Sequence, residues 1–444
     1  MQRNVKPLRA NARSAFHIEG SRLFFFEYKG ETPMLKNILP VAYKRYSSLP
    51  ILGSVLDKFT IFLNKLGYPS HVIRVHLKPI PKIEYCLKNL GCKSIKNITR
   101  IKLRSSVPLP RNTREAATIK LLEKFFDEQQ ILPPLPPPNL MEQKIINYKK
   151  YLNEMRSLSP STIKNYCSSV LQFLVFIKKR RKFPKLYKLI QQDIEDFIHI
   201  TGNRVGRSGL LSIISALRAF LHFLIIGREV STGLIDQIDT PRIYRGEKLP
   251  RTLDWEIVLS LLKSVNRCTA IGKRDYAVLL LLSTYGLRAS EIVDLTLDNI
   301  NWRTNCLQVF QRKTRTSLML PLTDAVGESI LDYIQKGRPP VSCREIFVRH
   351  QVPLGILSHH TVSEIFQRWV RHSGLPILPQ GAHCLRHSYA LHLLRKGTSL
   401  KTIGDILGHR NFDSTRVYLR LDLEDLRTVP LSLPTLSTTL KALS

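Results

Sequence analysis

Acidic residues are scarce in this chain. It has 34 Asp and Glu against 68 Lys and Arg over 444 residues, a formal charge of +34. Such an excess needs an anionic counterpart; nucleic acid is the first candidate and a membrane surface the rival. Long apolar runs are also missing. Ala277–Leu282 and Phe223–Ile226 fall far short of the ~20 residues a membrane span needs. Leu23–Phe26, after a charged start, is too short for a signal-peptide core. A soluble, intracellular protein in the cytoplasm, associated with DNA, is therefore expected, with no membrane partner. The seven cysteines (86, 92, 167, 268, 306, 343 and 384) form no CxxC pair. That excludes a zinc ribbon and a disulfide framework and points to reduced, mostly buried thiols. There is no carboxylate cluster suited to Mg2+ and no Walker phosphate loop, so neither a metal nor a nucleotide cofactor is expected.

What the chain does have is enough apolar material, 43% of residues, for real cores. Its length suggests about three domains. Five prolines in residues 133–138 cannot sit in a helix and make a stiff spacer. Before them lies a basic unit, residues 1–132, with 24 Lys and Arg against 9 Asp and Glu. Within it, apolar spacing of three and four predicts a helix over Val55–Leu66, and Ser70 is read as the cap of a second. After the spacer at 133–139, residues 140–245 read as four or five helices and no strand. Ser159 and Pro160 start one of them. Ile163, Tyr166, Val170, Phe173, Leu174 and Ile177 form its apolar face, and Lys178 to Lys182 close it with five positive charges. Ser208 is read as opening another. The region 246–428 reads as mainly α with a small sheet. Its helices are expected at Trp255–Val265, Asp275–Tyr285, His360–Ser373, His387–Lys396 and Leu400–Leu407, and a β-hairpin across Leu307–Phe310 and Leu318–Leu322. A tail, 429–444, follows. The fold class expected is mainly α with a small β-sheet, in several domains.

Three clusters in 246–428 carry chemistry. Gly286-Leu-Arg-Ala-Ser-Glu291 puts Arg288 at a turn with Glu291 placed to hold it. Arg312-Lys-Thr-Arg315 sits at the hairpin tip. His383-Cys-Leu-Arg-His387 is followed by Gly408-His-Arg410 and Tyr418. His383 and Arg386, three apart on a helix, share a face. Two guanidinium forks can pair with phosphate oxygens. Histidines can handle protons, a lysine can protonate a leaving oxygen, and a tyrosine hydroxyl can attack phosphorus. The set describes a phosphoryl transfer run on fixed cations. His383, Cys384, His387 and His392 could be taken for metal ligands, but no second Cys/His pair accompanies them. His387 is read as a packed neighbour.

These residues resemble the signature of the tyrosine recombinase (phage integrase) family in order and spacing: Arg, hairpin Lys, His-x-x-Arg, Leu-Gly-His, then Tyr nine residues on. The likeness covers about residues 250–425 and is nearest to recombinases of mobile elements. The helical region before it resembles the family's core-binding (SAM-like) domain. Residues 1–135 carry none of this signature, although some members have an extra N-terminal arm-binding domain. The resemblance implies that Tyr418 attacks the scissile phosphate to give a 3′-phosphotyrosyl link and a free 5′ hydroxyl. Arg288 and Arg386 then stabilise the pentavalent phosphorus, and Glu291 orients Arg288. Lys313 is the acid on the departing oxygen, although Arg312 or Arg315 could be misread for it. His383 and His409 assist in proton transfer and oxyanion binding. Two departures stand out: Cys384 lies inside the His-x-x-Arg motif, and the hairpin tip lacks glycines.

The resemblance further implies a clamp of two domains on double-stranded DNA at a specific core site. It implies a tetramer on two duplexes, with neighbouring recombinases as conceivable partners. The tail is expected to dock on a neighbouring subunit. Lys164, Lys178, Lys179, Arg180, Arg204, Arg207 and Arg218 are the candidate DNA contacts of 140–245, with Arg218 open to a packing role. Two alternatives remain at this point. One is a type IB topoisomerase with the same chemistry, and the other is a catalytically silent DNA-binding protein.

Overall fold

The computed structural model of the chain describes residues 33–106, 114–134, 137–180, 186–236, 238–242, 249–312, 316–378, 380–409 and 413–427, with side chains to 421 in the last stretch. Several sequence expectations fall outside them: those on Lys313 and Arg315, Arg181 and Lys182, Arg410, Leu23–Phe26 and the tail. Helix dominates what is described, and the sheet has three antiparallel strands, so the mainly α class with a small sheet holds. Contacts divide the chain into two compact units. One joins the chain up to Pro133 with the chain from Leu249, and the other is Pro134–Lys248.

The N-terminal part of the first unit is helical: α1 (Met34–Ile38), α2 (Tyr43–Ser47), α3 (Leu56–Lys65), α4 (Ser70–Leu77), α5 (Ile80–Asn89), α6 (Arg100–Ser105) and α7 (Arg114–Glu128). Phe59, Phe62, Leu63, Leu122, Phe125 and Phe126 gather in its core, as their helical spacing requires. Ser70 is the first helical residue and not the cap; Pro69 holds the cap position, with no side-chain hydrogen bond there. Glu84 is buried in this core, and its carboxylate accepts the backbone N–H groups of Ile51 and Leu52 at 2.8 and 2.9 Å. Val352, far along the chain, packs against the same core.

The second unit holds α8 (Leu140–Glu154), α9 (Pro160–Arg180), α10 (Gln191–Gly202), α11 (Arg207–Ile226) and α12 (Gly233–Asp236), with no strand among the described residues. Ser159 caps α9, its hydroxyl accepting the Thr162 N–H at 3.3 Å. Pro160 follows in the first helical position, where its missing N–H costs nothing. Gly206, not Ser208, precedes α11. By length and composition α11 could cross a membrane. Its Ile214, Leu217, Phe220, Leu221 and Leu224 are instead buried against Phe173 and Phe197. Arg218, in its middle, donates to the Ile238 carbonyl at 2.6 Å.

The C-terminal part of the first unit runs α13 (Trp255–Lys263), α14 (Ala270–Tyr285), α15 (Ala289–Val293), β1 (Ile300–Asn301), β2 (Cys306–Gln311), β3 (Thr316–Pro321), α16 (Asp324–Lys336), α17 (His359–Ser373), α18 (His383–Arg395), α19 (Leu400–Leu407) and α20 (Asp413–Arg427). Within helix α14 the run Ala277–Leu282 is apolar and buried on every side. The hairpin pairs Cys306 with Pro321 through Gln311 with Thr316. Along β2, Leu307, Val309 and Gln311 alternate inward. Helix α18 begins at His383, four residues before the expected start. All seven cysteines are unpaired, but only Cys92 and Cys384 are buried and Cys268 is exposed, so the expectation of mostly buried thiols is corrected.

Candidate active site

Gly286 ends α14 in the left-handed conformation, φ +61°. A side chain is disfavoured at that φ. A Cβ would also sit 2.8 Å from Leu407 Cδ2 and 2.8 Å from Tyr389 Cδ1. The turn delivers Arg288 to the start of α15. Glu291, buried one turn on, fixes it twice: one carboxylate oxygen accepts the Arg288 backbone N–H at 2.8 Å, the other its guanidinium at 2.6 Å.

Arg386 is the largest fully buried side chain among the described residues. Its guanidinium donates to the Gly286 carbonyl and to the Leu407 carbonyl, both at 2.6 Å. Those are the ends of α14 and α19, where orphan carbonyls need donors. One arginine thus ties three helices together. Burial, then the charge of Arg288, lowers its pKa to about 10, so it stays cationic at neutral pH. Two carbonyls occupy two of its five N–H donors.

Tyr418, on α20, is buried, and its hydroxyl lies 3.1 Å from Nδ1 of His387. Burial raises its pKa, while Arg386 and Arg288 pull the other way. The His409 ring lies nearly parallel to the Tyr418 ring, 14° between planes and 6.4 Å between centroids. His409 Nδ1 contacts the buried Thr415 hydroxyl at 2.9 Å, and its N–H donates to the Gly404 carbonyl at 2.9 Å. Gly408, φ +62°, makes that turn; a Cβ there would overlap the buried Gln311 side chain. His383 is exposed at the start of α18, its ring edge-on to His387 at 4.6 Å. Arg288, Arg386, Tyr418, His387 and His409 therefore surround one spot, with His383 beside it.

Lys313 lies outside the described residues. Arg312, its neighbour just after β2, donates to Asp294 Oδ1 at 2.7 Å and lies 2.5 Å from Oδ2 as an ion pair. His387 was the residue sequence reasoning passed over: read as packing, it bonds the Tyr418 hydroxyl. The available signal was a third histidine one turn from His383 and next to Arg386. Cys384 is buried, and burial pushes its thiol up to about 12, which leaves it an apolar filler. Among the described residues no three of His, Cys, Asp and Glu group closely enough to hold a metal.

In the second unit, Lys164, Lys178, Lys179, Arg204 and Arg207 are exposed. Arg180 is ion-paired with Asp196 on α10. Arg218 is half-buried and donates to the Ile238 carbonyl, which agrees with the packing role left open for it.

Comparison with known proteins adds to this geometry. The sequence model of the phage integrase family matches residues 251–424. The phage integrase N-terminal SAM-like domain matches residues 145–226. A putative integrase/recombinase, y4rA, of Sinorhizobium fredii (strain NBRC 101917 / NGR234) is 34% identical over 67% of this chain and 72% of its own. The tyrosine recombinase XerD of Lacticaseibacillus casei is 27% identical over 65% of this chain and 97% of its own. Among solved structures, XerH site-specific recombinase bound to palindromic difH substrate, a post-cleavage complex, is 18% identical. It covers 75% of this chain and 93% of that one with a TM-score of 0.51, a likeness of fold.

Proposed function

The chain belongs to the phage integrase family of tyrosine recombinases, and from that membership we propose how its residues cut and rejoin DNA. It is a site-specific DNA recombinase. The topoisomerase and silent-binder alternatives are not favoured, since relatives matched over most of their length are named integrase or recombinase. In the proposed route, Tyr418 Oη attacks the scissile phosphorus, the bond to the 5′ oxygen breaks, and a 3′-phosphotyrosyl link forms. Arg288, steadied by Glu291, and Arg386, anchored by two carbonyls, neutralise the charge that grows on the non-bridging oxygens. Such pre-set donors need no reorganisation as charge develops. Lys313 protonates the departing 5′ oxygen, and His383 and His409 hold phosphate oxygens and assist proton movement. The 5′ hydroxyl of a second strand reverses the steps. The covalent link keeps the bond energy, so ATP is not needed.

The observation that carries this reading is Tyr418, buried beside His409 with its hydroxyl bonded and under the fields of Arg386 and Arg288. Lys164, Lys178, Lys179, Arg204 and Arg207 are proposed as phosphate contacts of the helical unit. The finer reading is a tetramer on two duplexes, because exchange cuts four strands and each cut needs a tyrosine. A role in a mobile element is part of the same proposal, with the integrase names among its relatives as its support.

A suicide substrate tests the route. The protein is incubated with nicked DNA from its own genetic surroundings and the products are run on a denaturing gel. A covalent adduct at one mapped position, absent in Tyr418→Phe while DNA binding persists, is the expected result. An adduct that survives Tyr418→Phe overturns the nucleophile assignment; adducts scattered without preference, with plasmid relaxation, would favour a topoisomerase.

A further inference from the structure

A phenol that attacks phosphorus must lose its proton as the bond forms. The two arginines at the site cannot take it, since both are cationic at neutral pH. His409 directs Nδ1 to Thr415 and lies parallel to the tyrosine ring. His383 presents its ring to His387. The Tyr418 hydroxyl lies 3.1 Å from His387 Nδ1, within the range for direct proton transfer. Helix α18 fixes that nitrogen. Its next residue back, Arg386, is locked to two other helices, so the backbone carrying His387 is held in register with Tyr418.

Building on the tyrosine-nucleophile reading above, we propose that His387 Nδ1 accepts the Tyr418 proton during cleavage and returns it when the tyrosine is expelled. In the forward step the Oη–P bond forms and the P–O5′ bond breaks. The Oη proton passes to Nδ1, and a separate acid supplies the proton of the new 5′ hydroxyl. Rejoining runs the same transfers backward: the imidazolium protonates the leaving Tyr418 oxygen. This role requires the ring's resting proton to be on Nε2.

The surroundings keep that acceptor available. Burial, then His383 and Arg386 on its own helix, and His409 after α19 lower the His387 pKa to about 4, so the ring is neutral throughout the neutral range. From α20 it faces Tyr418 itself; Glu256 of α13 acts on His392 instead. The incoming phosphate adds negative charge beside His387, and the phosphorane adds more. An imidazolium disfavoured in the resting site is therefore less disfavoured as the reaction proceeds.

Single-turnover cleavage of the suicide substrate by the full-length protein, followed from about pH 5.5 to 8.5, tests the assignment. His387→Asn keeps a polar group near the hydroxyl but no proton acceptor of imidazole strength. It is expected to bind DNA as the parent does and to lose about 10²–10⁴-fold in cleavage at neutral pH. Its rate should then climb about tenfold per pH unit, because it depends on preformed tyrosinate, where the parent is flat. Placing the more acidic 3-fluorotyrosine at position 418 should return part of the loss in His387→Asn and change the parent little. His387→Gln serves the same comparison should the shorter amide weaken folding, with DNA affinity as the control. Cleavage at the parental rate, or a loss with a flat pH profile and no recovery with 3-fluorotyrosine, overturns the proposal. An adduct that survives Tyr418→Phe is a different failure, of the nucleophile reading on which this one stands.

Discussion

At the scale of single residues, Gly286 decides whether the arginines reach the site. It must take a left-handed turn, lie against Leu407 and Tyr389, and present its carbonyl to Arg386. Gly286→Ala should cost about 1–2 kcal/mol for the conformation alone, before any clash. The 2.8 Å approaches to Leu407 Cδ2 and Tyr389 Cδ1 require those side chains to give way, beside the Gly286 carbonyl that holds Arg386. The expected outcome is a lower melting temperature together with a loss of adduct larger than the fall in folded fraction explains. Full adduct formation by the folded variant would show that the turn does not set the arginines. The glycine was legible as punctuation beside Arg288, and so was the order of Arg288, His383, Arg386, His409 and Tyr418. The carbonyls that hold Arg386 were not legible. They lie on residues 100 and 21 positions away, and every residue offers a carbonyl.

At the scale of elements, the end of α9 separates charge that is available from charge that is spent. The sequence shows a continuous basic run. In the structure Lys178 and Lys179 are exposed, while Arg180 pairs with Asp196, whose carboxyl that pairing holds below its ordinary pKa. Apolar periodicity reveals α9 and α10, but not which of their surface charges face each other. The consequence is measurable in the salt dependence of DNA binding. Each phosphate contact contributes about −0.9 to the slope of log K against log salt. Lys178→Ala and Lys179→Ala should each flatten the slope by about that amount. Arg180→Ala should flatten it less, because Asp196 already neutralises it and is then left to repel the backbone. Equal effects from all three, or none from the lysines, would remove this end of α9 from the interface. The hairpin was legible to within a residue or two because two short apolar runs, Leu307–Phe310 and Leu318–Leu322, flank a polar stretch. Strand β1 was not, since two residues carry no period.

At the scale of the whole molecule, stability rests on separate cores. The one in Pro134–Lys248 is built entirely from that unit's residues, from Met141 to Ile238. The proline run was visible as a break in the sequence. The association of the N-terminal core with the C-terminal part was not. Val352 sits alone in a loop, and an isolated valine in a loop carries no pattern. A core that shares no buried residue with its neighbours should melt by itself. Phe220 is buried in it, and Phe220→Ala should cost about 3–5 kcal/mol there. In scanning calorimetry of the full chain, that variant should shift one transition downward and leave the other in place. Phe125→Ala, in the core that Val352 joins, should do the reverse. If either substitution moved the whole profile as a single transition, the units would be cooperative, and damage in the helical unit would be felt directly at Tyr418. If the transitions part as expected, that unit can gain or lose basic contacts, and with them its DNA preference, without a stability penalty at the catalytic residues.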